Sequence, residues 1–290
     1  MKNSFFTRTE LLGIIGSPVK QSFSPFIHNI AAELTGTQII YLPFDVHATN
    51  LKSAVNGMVA LGIKGFNVTL PHKIKVVEYL SKVSEEAAIV GAVNTIVNDL
   101  GKLTGYNTDV HGILETLNPF KDEIGGSCVT VFGAGGGSRA VLYTLIRHFK
   151  PSQINLLNRT GQHSEYLKQY FKDKMKYKSI STIELFSPEM TDAVKNSKLI
   201  INTTSVGMYP DVDDSILNND DLFRKDQIVF DLVYNPIKTK LLQLAETNGA
   251  IALNGLTMLI HQAAKSFSLW TNKEFPVEKV YKSVLLYLSR

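Results

Sequence analysis

A glycine-rich segment near the middle of the chain has the residue types needed to bind a phosphate group. It follows the apolar run 128–132 and precedes a helix-forming stretch. Glycines permit a tight turn and a close approach of the backbone to a pyrophosphate, and a helix N-terminus presents free N–H groups to the anion. Ser138 replaces the third glycine of the usual G-x-G-x-x-G pattern, and a small residue there still permits close helix packing. This context favours a dinucleotide site over the alternative, a flexible glycine-rich turn. The candidate cofactor contacts in this loop are Gly133, Ala134, Gly135, Gly136 and Gly137.

The tip of the next predicted strand favours NADP over NAD. Asn158, Arg159 and Thr160 lie about 25 residues after Gly133, where an NAD-binding fold usually places an acidic residue for the ribose 2′-hydroxyl. This tip has no Asp or Glu, and Arg159 offers a planar cation for a 2′-phosphate. Asn158 and Thr160 add hydrogen-bonding groups. The alternative interpretation is that Arg159 is an ordinary surface arginine.

Two serines after the first predicted strand suit a small carboxylate. Ser22 and Ser24 alternate in an extended segment, so their hydroxyls point the same way. A helix begins just beyond them, and hydroxyls together with helix N–H groups bind carboxylates. Taken alone, a capped helix start explains these residues better, with Ser24 as N-cap and Pro25 as the first helical residue.

Polar residues at the end of a predicted central strand form another candidate site. Asn67 and Thr69 share one side of this strand because strand side chains alternate, and the carboxyl ends of such strands face the ligand crevice. Lys73 lies just beyond and can reach the same crevice, although a lone lysine is usually solvated surface. The segments 91–95 and 105–109 contribute further polar groups. The aspartate that ends the second segment is equally able to cap the following helix.

Alternating apolar runs and helix-period segments predict the elements that position these residues. The predicted strands of the first half are 11–15, 38–42 and 65–69, alternating with helices at 25–34 and 51–61, and a hairpin over 95–104 follows. The predicted strands of the second half are 128–132, 154–157, 199–202, 228–232 and 250–253, followed by helices at 258–270 and 277–288. Strands that alternate with helices indicate mainly parallel sheets covered by helices.

The expected fold class is therefore α/β with two domains and a cleft between them. We expect an N-terminal substrate-binding and catalytic domain over 1–109, built on a mainly parallel sheet. A Rossmann-type dinucleotide-binding domain is expected over 110–255. The C-terminal helices, 256–290, are expected to pack back on the first domain.

Composition limits the classes of protein that the chain can represent. Of its 290 residues, 44% are hydrophobic and 19% are charged, values typical of a globular protein rather than a disordered one. The net charge is +4 and the basic residues are scattered, whereas nucleic-acid binders usually concentrate them on one face. Cys128 is the single cysteine, so no intramolecular disulfide can form.

Targeting signals and metal motifs are likewise not visible. No secretory signal is seen, and no apolar run approaches the roughly 18 residues of a membrane span. The expected location is the cytoplasm, without nucleic-acid or membrane partners. The histidines show no metal-ligand spacing, so no metal is expected.

Taken together, the ordered motifs resemble the shikimate dehydrogenase family, including the quinate/shikimate dehydrogenases. The resemblance covers nearly the whole chain and is carried by SFSP at 22–25, NVTLPHK at 67–73, GAVNT at 91–95, NTD at 107–109, the glycine loop, NRT at 158–160, NTTSVGM at 202–208, VYNP at 233–236 and NGLTMLIHQA at 254–263. It implies an NADP-dependent oxidoreductase that reversibly reduces 3-dehydroshikimate to shikimate, a step towards chorismate and the aromatic amino acids. It also implies a monomer or homodimer with a small-molecule substrate.

The resemblance assigns roles to individual residues as well. Lys73 and Asp109 would form the catalytic pair, with the lysine handling the hydroxyl proton and the aspartate orienting it; which of the two is the formal base stays open. Ser22 and Ser24 would hold the substrate carboxylate. The residues that would bind ring hydroxyls or the reacting oxygen are Thr69, Asn94, Asp109, Tyr234 and Gln262. Leu232 and Gly255 would lie beside the nicotinamide.

Two departures from the family pattern leave alternatives open. Many NADP-specific relatives have a second arginine shortly after the Asn-Arg-Thr segment, where this chain has Gln162 and His163. NAD is therefore a possible second cofactor. The stretch 268–276 is similar to the quinate/shikimate branch, which makes a quinate/shikimate dehydrogenase using NAD or NADP the main alternative. A non-catalytic regulator of the same fold is disfavoured because Lys73 and Asp109 are both present.

Overall fold

The two six-stranded sheets of this computed structural model confirm the predicted α/β class. The structure describes residues 9–288, apart from the side chain of residue 220. The described chain forms two compact units, one of residues 9–111 with 260–288 and the other of Gly112–Leu259.

The first unit is built on a mixed sheet whose strand order is β2-β1-β3-β5-β6-β4. Its strands are β1 (Glu10–Gly16), β2 (Ile39–Asp45), β3 (Gly65–Val68), β4 (Lys82–Val83), β5 (Thr95–Asp99) and β6 (Lys102–Tyr106). Its helices are α1 (Ser24–Thr35), α2 (Leu51–Ala60) and α3 (Glu85–Val90), and α4 (Asp109–Leu117) begins in this unit and ends in the next. The predicted parallel arrangement of β1, β2 and β3 is confirmed.

The predicted hairpin is also confirmed and sets the register of the site. Strands β5 and β6 pair antiparallel around a turn in which Leu100 and Gly101 both have positive φ, 49° and 88°. Such a two-residue turn matches the twist of a hairpin. Strand β5 also pairs antiparallel with β3, so that Asn67 lies opposite Thr95. The end of β3 therefore meets the beginning of β5, and polar residues from both strands come together.

The second unit contains a fully parallel sheet of order β12-β11-β10-β7-β8-β9. Its strands are β7 (Cys128–Phe132), β8 (Gln153–Asn158), β9 (Ile180–Glu184), β10 (Leu199–Asn202), β11 (Ile228–Asp231) and β12 (Ile251–Leu253). Its helices are α5 (Lys121–Ile124), α6 (Gly136–Thr144), α7 (Gly161–Met175), α8 (Pro188–Asn196) and α9 (Lys240–Thr247). The chain ends with α10 (Gly255–Thr271) and α11 (Val277–Leu288). A connection between parallel strands needs a crossover, which the helices supply.

Each unit has its own apolar core. In the first unit, a buried cluster that includes Ile15, Met58 and Phe66 packs on the sheet. In the second unit, a cluster that includes Phe132, Ile200 and Val229 does the same. The described residues contain no helix long and apolar enough to cross a membrane.

Candidate active site

An ion pair joins the two residues expected to carry the chemistry. Lys73 lies in the loop after β3, and Asp109 is the first residue of α4. The Lys73 Nζ donates to Asp109 Oδ2 at 2.6 Å, and the two side chains are 17% and 6% exposed. This pair is mostly withdrawn from water, yet the lysine keeps a partly accessible face, so a small molecule can still reach it.

Asn94 holds the other oxygen of the same carboxylate. Its Nδ2 donates to Asp109 Oδ1 at 2.8 Å, while its Oδ1 accepts from the backbone N–H of Thr108 at 2.7 Å. Because the backbone N–H can only donate, it fixes which end of the amide faces Asp109. Gln262 of α10 joins the group, with its Oε1 3.4 Å from Thr108 Oγ1 and 3.5 Å from Asn94 Nδ2.

Thr69 lies against the turn that follows β1. Its backbone N–H donates to Ile15 O at 2.9 Å, and a Cβ at Gly16 would lie 2.3 Å from Thr69 Cγ2. Only a residue without a side chain therefore fits at position 16. This close approach places Thr69 beside the segment that leads to Ser22 and Ser24.

The two serines lie at the start of α1, and the proposed N-cap role of Ser24 is wrong. Phe23 occupies the N-cap position, because its carbonyl accepts from the Ile27 N–H and Ser24 is already helical. The Ser22 hydroxyl accepts from the backbone N–H of Ser24 at 3.3 Å. Ser24 is buried and Ser22 is half-buried. The Ser24 side chain therefore does not cap α1, and it interacts with the Tyr41 phenol. The segment is not extended as predicted, because Phe23 has helical φ and ψ.

Two buried residues to which the sequence assigned no catalytic or binding role, Tyr41 and Asn67, connect to this group. Tyr41 Oη donates to Asn67 Oδ1 at 2.6 Å, and Asn67 Nδ2 donates to Asn94 O and Thr95 Oγ1, both at 3.1 Å. Burial raises the pKa of the Tyr41 phenol, and the Ser24 side chain opposes that shift. The strand alternation identified Asn67 as a site-facing residue. Its link to Tyr41 depends on the pairing of distant strands.

In the second unit, the glycine loop has a backbone that fits a phosphate group. Gly133 has φ +105°, and a Cβ there would lie 2.5 Å from Thr203 Oγ1. Gly135 is the N-cap of α6, and a Cβ there would meet nothing within 4 Å. The helix N-terminus therefore opens onto free space with its N–H groups available, as an anion site requires.

Ser138 packs the glycine loop against Thr203, the residue that follows β10. Its hydroxyl lies 2.5 Å from Thr203 Oγ1, which in turn donates to Phe132 O at 2.6 Å. Ser138 is fully buried, so the small residue in place of a third glycine serves close packing. Thr203 belongs to the motif at 202–208, but its contact with the loop could not be read from spacing.

Arg159 and Thr160 are exposed between β8 and α7. The Asn158 Nδ2 donates to Thr160 O at 3.0 Å, which folds this tip into a turn. Gln162 and His163 lie exposed in the first turn of α7. A guanidinium beside a helix N-terminus is a favourable environment for an anion.

Leu232 and Gly255, which were both expected beside the nicotinamide, are in direct contact. A Cβ at Gly255 would lie 2.2 Å from Leu232 O, so only glycine permits this approach. Tyr234 is half-buried in the same stretch and belongs to the second unit, whereas the other expected substrate residues belong to the first.

Asp231 organises that stretch and was missed by sequence reasoning. Its carboxylate accepts from Asn202 Nδ2 at 3.0 Å, the Val233 N–H at 3.0 Å and Thr239 Oγ1 at 2.7 Å. Burial raises its pKa to about 6, and these three hydrogen bonds oppose the shift. An aspartate that ends an otherwise apolar strand, Ile228–Asp231, was the available signal.

Comparison with known proteins places these features in a family. Residues 14–96 match the family model for the shikimate dehydrogenase substrate binding domain, and residues 255–285 match the shikimate 5'-dehydrogenase C-terminal domain. A shikimate dehydrogenase (NADP(+)) from Caldanaerobacter subterraneus subsp. tengcongensis is 43% identical over 279 residues, which are 95% of this chain and 96% of the relative.

Solved structures agree with the sequence comparison. A shikimate dehydrogenase in complex with NADP+ has a TM-score of 0.90 at 37% identity, covering 97% of this chain and 96% of its own. A quinate dehydrogenase from Corynebacterium glutamicum in complex with NAD has a TM-score of 0.87 at 30% identity, covering 96% and 99%. The chain belongs to the shikimate dehydrogenase family.

Proposed function

We propose that this protein is an NADP-dependent shikimate dehydrogenase that reversibly reduces 3-dehydroshikimate to shikimate. The observation that carries the proposal is the Lys73–Asp109 ion pair, held by Asn94 in a chain that resembles such enzymes over nearly its full length. A relative 43% identical carries that activity in its name. The first unit is assigned to substrate binding and catalysis, and the second to NADP.

The lysine of the pair handles the proton of the reacting hydroxyl. Lys73 Nζ has the partly accessible position, so its ammonium form can donate a proton to the oxygen during reduction, and its neutral amine form can accept the proton during oxidation. Asp109 accepts from both Lys73 and Asn94, which balances the lysine charge and orients its ammonium group. Asp109 acts through Lys73 in this scheme.

The remaining polar residues hold the substrate. Ser22 and Ser24 bind its carboxylate with their hydroxyls. Thr69, Asn94, Gln262 and Tyr234 bind ring hydroxyls. Each of these side chains can donate or accept a hydrogen bond, as a hydroxyl-rich ring requires.

A bound NADP would supply the nicotinamide ring, which accepts a hydride in its oxidised form and donates one in its reduced form. The open N-terminus of α6 fits its pyrophosphate, because Gly135 leaves space that a side chain would fill. Arg159 fits the 2′-phosphate, with Asn158 and Thr160 beside it. Leu232 and Gly255 form a close backbone contact that suits the flat nicotinamide ring.

Initial rates with shikimate or quinate, each with NADP or NAD, test the proposal. We expect the highest kcat/KM for shikimate with NADP. No turnover of shikimate with either cofactor would overturn the proposal.

Oxidation of quinate with NAD is the second candidate function. Gln162 and His163 stand exposed where many NADP-specific relatives have a second arginine, and a similar solved structure is a quinate dehydrogenase with NAD. A higher kcat/KM for quinate with NAD in the same assay would replace the first proposal with this one.

A further inference from the structure

Ser266 of α10 contacts three chain segments that adjoin the catalytic group of the first unit. Its hydroxyl is 2.8 Å from Thr95 Oγ1, 3.0 Å from Thr108 Oγ1 and 3.2 Å from Asn67 Nδ2. These partners come from β5, from the residue before α4, and from β3. The Ser266 side chain is fully buried, so it does not itself touch a ligand.

The direction of these hydrogen bonds is set by the groups around them. Ser266 Oγ donates to the carbonyl of Gln262 at 3.0 Å, one helical turn earlier. Asn67 Nδ2 is a donor, because Asn67 Oδ1 accepts from Tyr41 Oη. Ser266 Oγ therefore serves as an acceptor for its neighbours. Its two lone pairs face three donors, so Thr95 and Thr108 share the position that Asn67 leaves.

The two threonines in turn surround the Asn94 amide. Asn94 Oδ1 lies 3.1 Å from Thr95 Oγ1 and 3.2 Å from Thr108 Oγ1, in addition to the Thr108 N–H at 2.7 Å. If either threonine loses its acceptor, its hydroxyl turns to another buried acceptor, because an unmade buried hydrogen bond is costly. For both threonines this acceptor is Asn94 Oδ1, and for Thr108 it can also be Gln262 Oε1.

We infer that Ser266 is a positioning residue for the reaction, acting through Thr95 and Thr108 on Asn94 and so on the Asp109–Lys73 pair. The inference rests on the proposed function. Ser266 fixes how the threonine protons are shared, and this fixes the Asn94 amide that holds Asp109 Oδ1 at 2.8 Å. It also donates to the backbone carbonyl of Gln262, a contact within α10 that does not involve the Gln262 side chain.

The variant Ser266→Ala tests this inference through the separation of kcat from KM. We expect kcat for shikimate oxidation to fall about tenfold, part of the roughly 10²–10⁴-fold that a positioned acid–base group supplies. The KM values for shikimate and NADP should change less than about threefold. The pH profile of kcat should also shift, because the variant alters the surroundings of the proton-transferring pair.

Two further variants separate hydrogen bonding from packing. Ser266→Cys keeps the shape of the side chain but weakens its hydrogen bonds, so it should behave like Ser266→Ala. Ser268→Ala is the matched control, since Ser268 is exposed on the same helix. One result would show that Ser266 only fills space. In that case Ser266→Cys has an activity near that of wild type, and Ser266→Ala loses activity in parallel with a lowered Tm.

A measurement that needs no turnover keeps this inference separate from the proposed function. Hydrogen exchange of the Asn94 side-chain amide, followed by NMR, should be at least about tenfold faster in Ser266→Ala than in wild type. Unchanged exchange, or an unchanged kcat, overturns the positioning role. Wild type that fails to oxidise shikimate overturns the proposed function, while the exchange rates still decide the role of Ser266.

Discussion

Arg159 is the residue on which we propose that cofactor choice depends. It is exposed at the end of β8, and no acidic side chain occupies the tip Asn158–Thr160 to bind a 2′-hydroxyl. A guanidinium meets phosphate oxygens with two parallel hydrogen bonds, each charge-assisted. Arg159→Ala should raise KM for NADP by about 10–100-fold, equivalent to roughly 1.5–3 kcal/mol, and leave KM for NAD almost unchanged.

Steady-state kinetics with both cofactors measures this change. Arg147→Ala is a suitable control, because Arg147 is another exposed arginine of the second unit. Equal damage to NADP and NAD would remove the 2′-phosphate role from Arg159. So would a wild-type preference for NAD.

At the same scale, the sequence predicted candidate site residues but not most of the hydrogen bonds that connect them. The motifs supplied Lys73, Asn94 and Asp109, and the structure brings all three into one hydrogen-bonded group. Ser266 was missed, although it lies four residues after Gln262 and therefore on the same helix face. Its contacts with β3 and β5 depend on how α10 packs, which no local pattern encodes.

At the scale of elements, two glycines between β7 and α6 differ in backbone conformation and in the space around them. Gly133 has φ +105° and touches Thr203, so Gly133→Ala should be strained and destabilising by a few kcal/mol. Gly135 has negative φ and open space around it, so Gly135→Ala should leave the Tm nearly unchanged. It should nevertheless weaken NADP binding, because the added methyl occupies the proposed pyrophosphate site.

Thermal unfolding and a titration with NADP separate these two effects. Gly161→Ala, at the start of α7, is the control because a Cβ there meets nothing within 4 Å and no cofactor contact is proposed for it. Tight NADP binding in Gly135→Ala would contradict the proposed phosphate site. A Gly133→Ala protein as stable as wild type would contradict the packing argument.

Elements with strong apolar patterns were predictable, and weakly patterned ones were not. All the predicted strands of the second half are present with small shifts of their ends. Strand β9 was missed because polar residues such as Ser181 and Thr182 interrupt its apolar pattern at the sheet edge. Strand β4 was missed because two residues, Lys82–Val83, are too short to show a period.

At the scale of the whole molecule, two buried groups make stability depend on pH in opposite directions. Burial lowers the pKa of His28, in the first unit, from 6.5 to about 3, with the Asn67 side chain opposing. The unfolded chain then binds a proton below about pH 6.5 that the folded chain does not. His28 therefore lowers the free energy of unfolding as pH falls from about 6.5 to about 3, by up to roughly 1.4 kcal/mol per pH unit.

Asp231, in the second unit, acts in the other direction. Its folded pKa is raised from 3.8 to about 6, so the folded chain keeps a proton that the unfolded chain releases. This group lowers the free energy of unfolding as pH rises from about 4 to about 6.

Urea unfolding of wild type, His28→Phe and Asp231→Asn between about pH 3 and 6.5 measures how each group changes the free energy of unfolding with pH. Relative to wild type, His28→Phe should gain stability as pH falls, and Asp231→Asn should gain stability as pH rises. Differences from wild type that do not vary with pH would contradict both assignments.

The overall architecture followed from the sequence because alternating strands and helices leave few ways to cover a sheet. The antiparallel insertion of β5 and β6 beside β3 was only partly predictable. The hairpin itself is local, since Asn98 Oδ1 accepts from the Gly101 N–H at 2.8 Å in its turn. The same hairpin brings Asn94 to Asp109, because Thr95 pairs with Tyr106. Its place next to β3 depends on long-range pairing, and that pairing brings Asn67 opposite Thr95.

The central claim is that Lys73 transfers the proton while other residues bind the substrate. It is tested most directly by the kcat of Lys73→Ala for shikimate oxidation, measured beside a shikimate binding titration of the same variant. We predict that kcat falls by roughly 10²–10⁴-fold while shikimate still binds. A kcat near that of wild type would contradict the account.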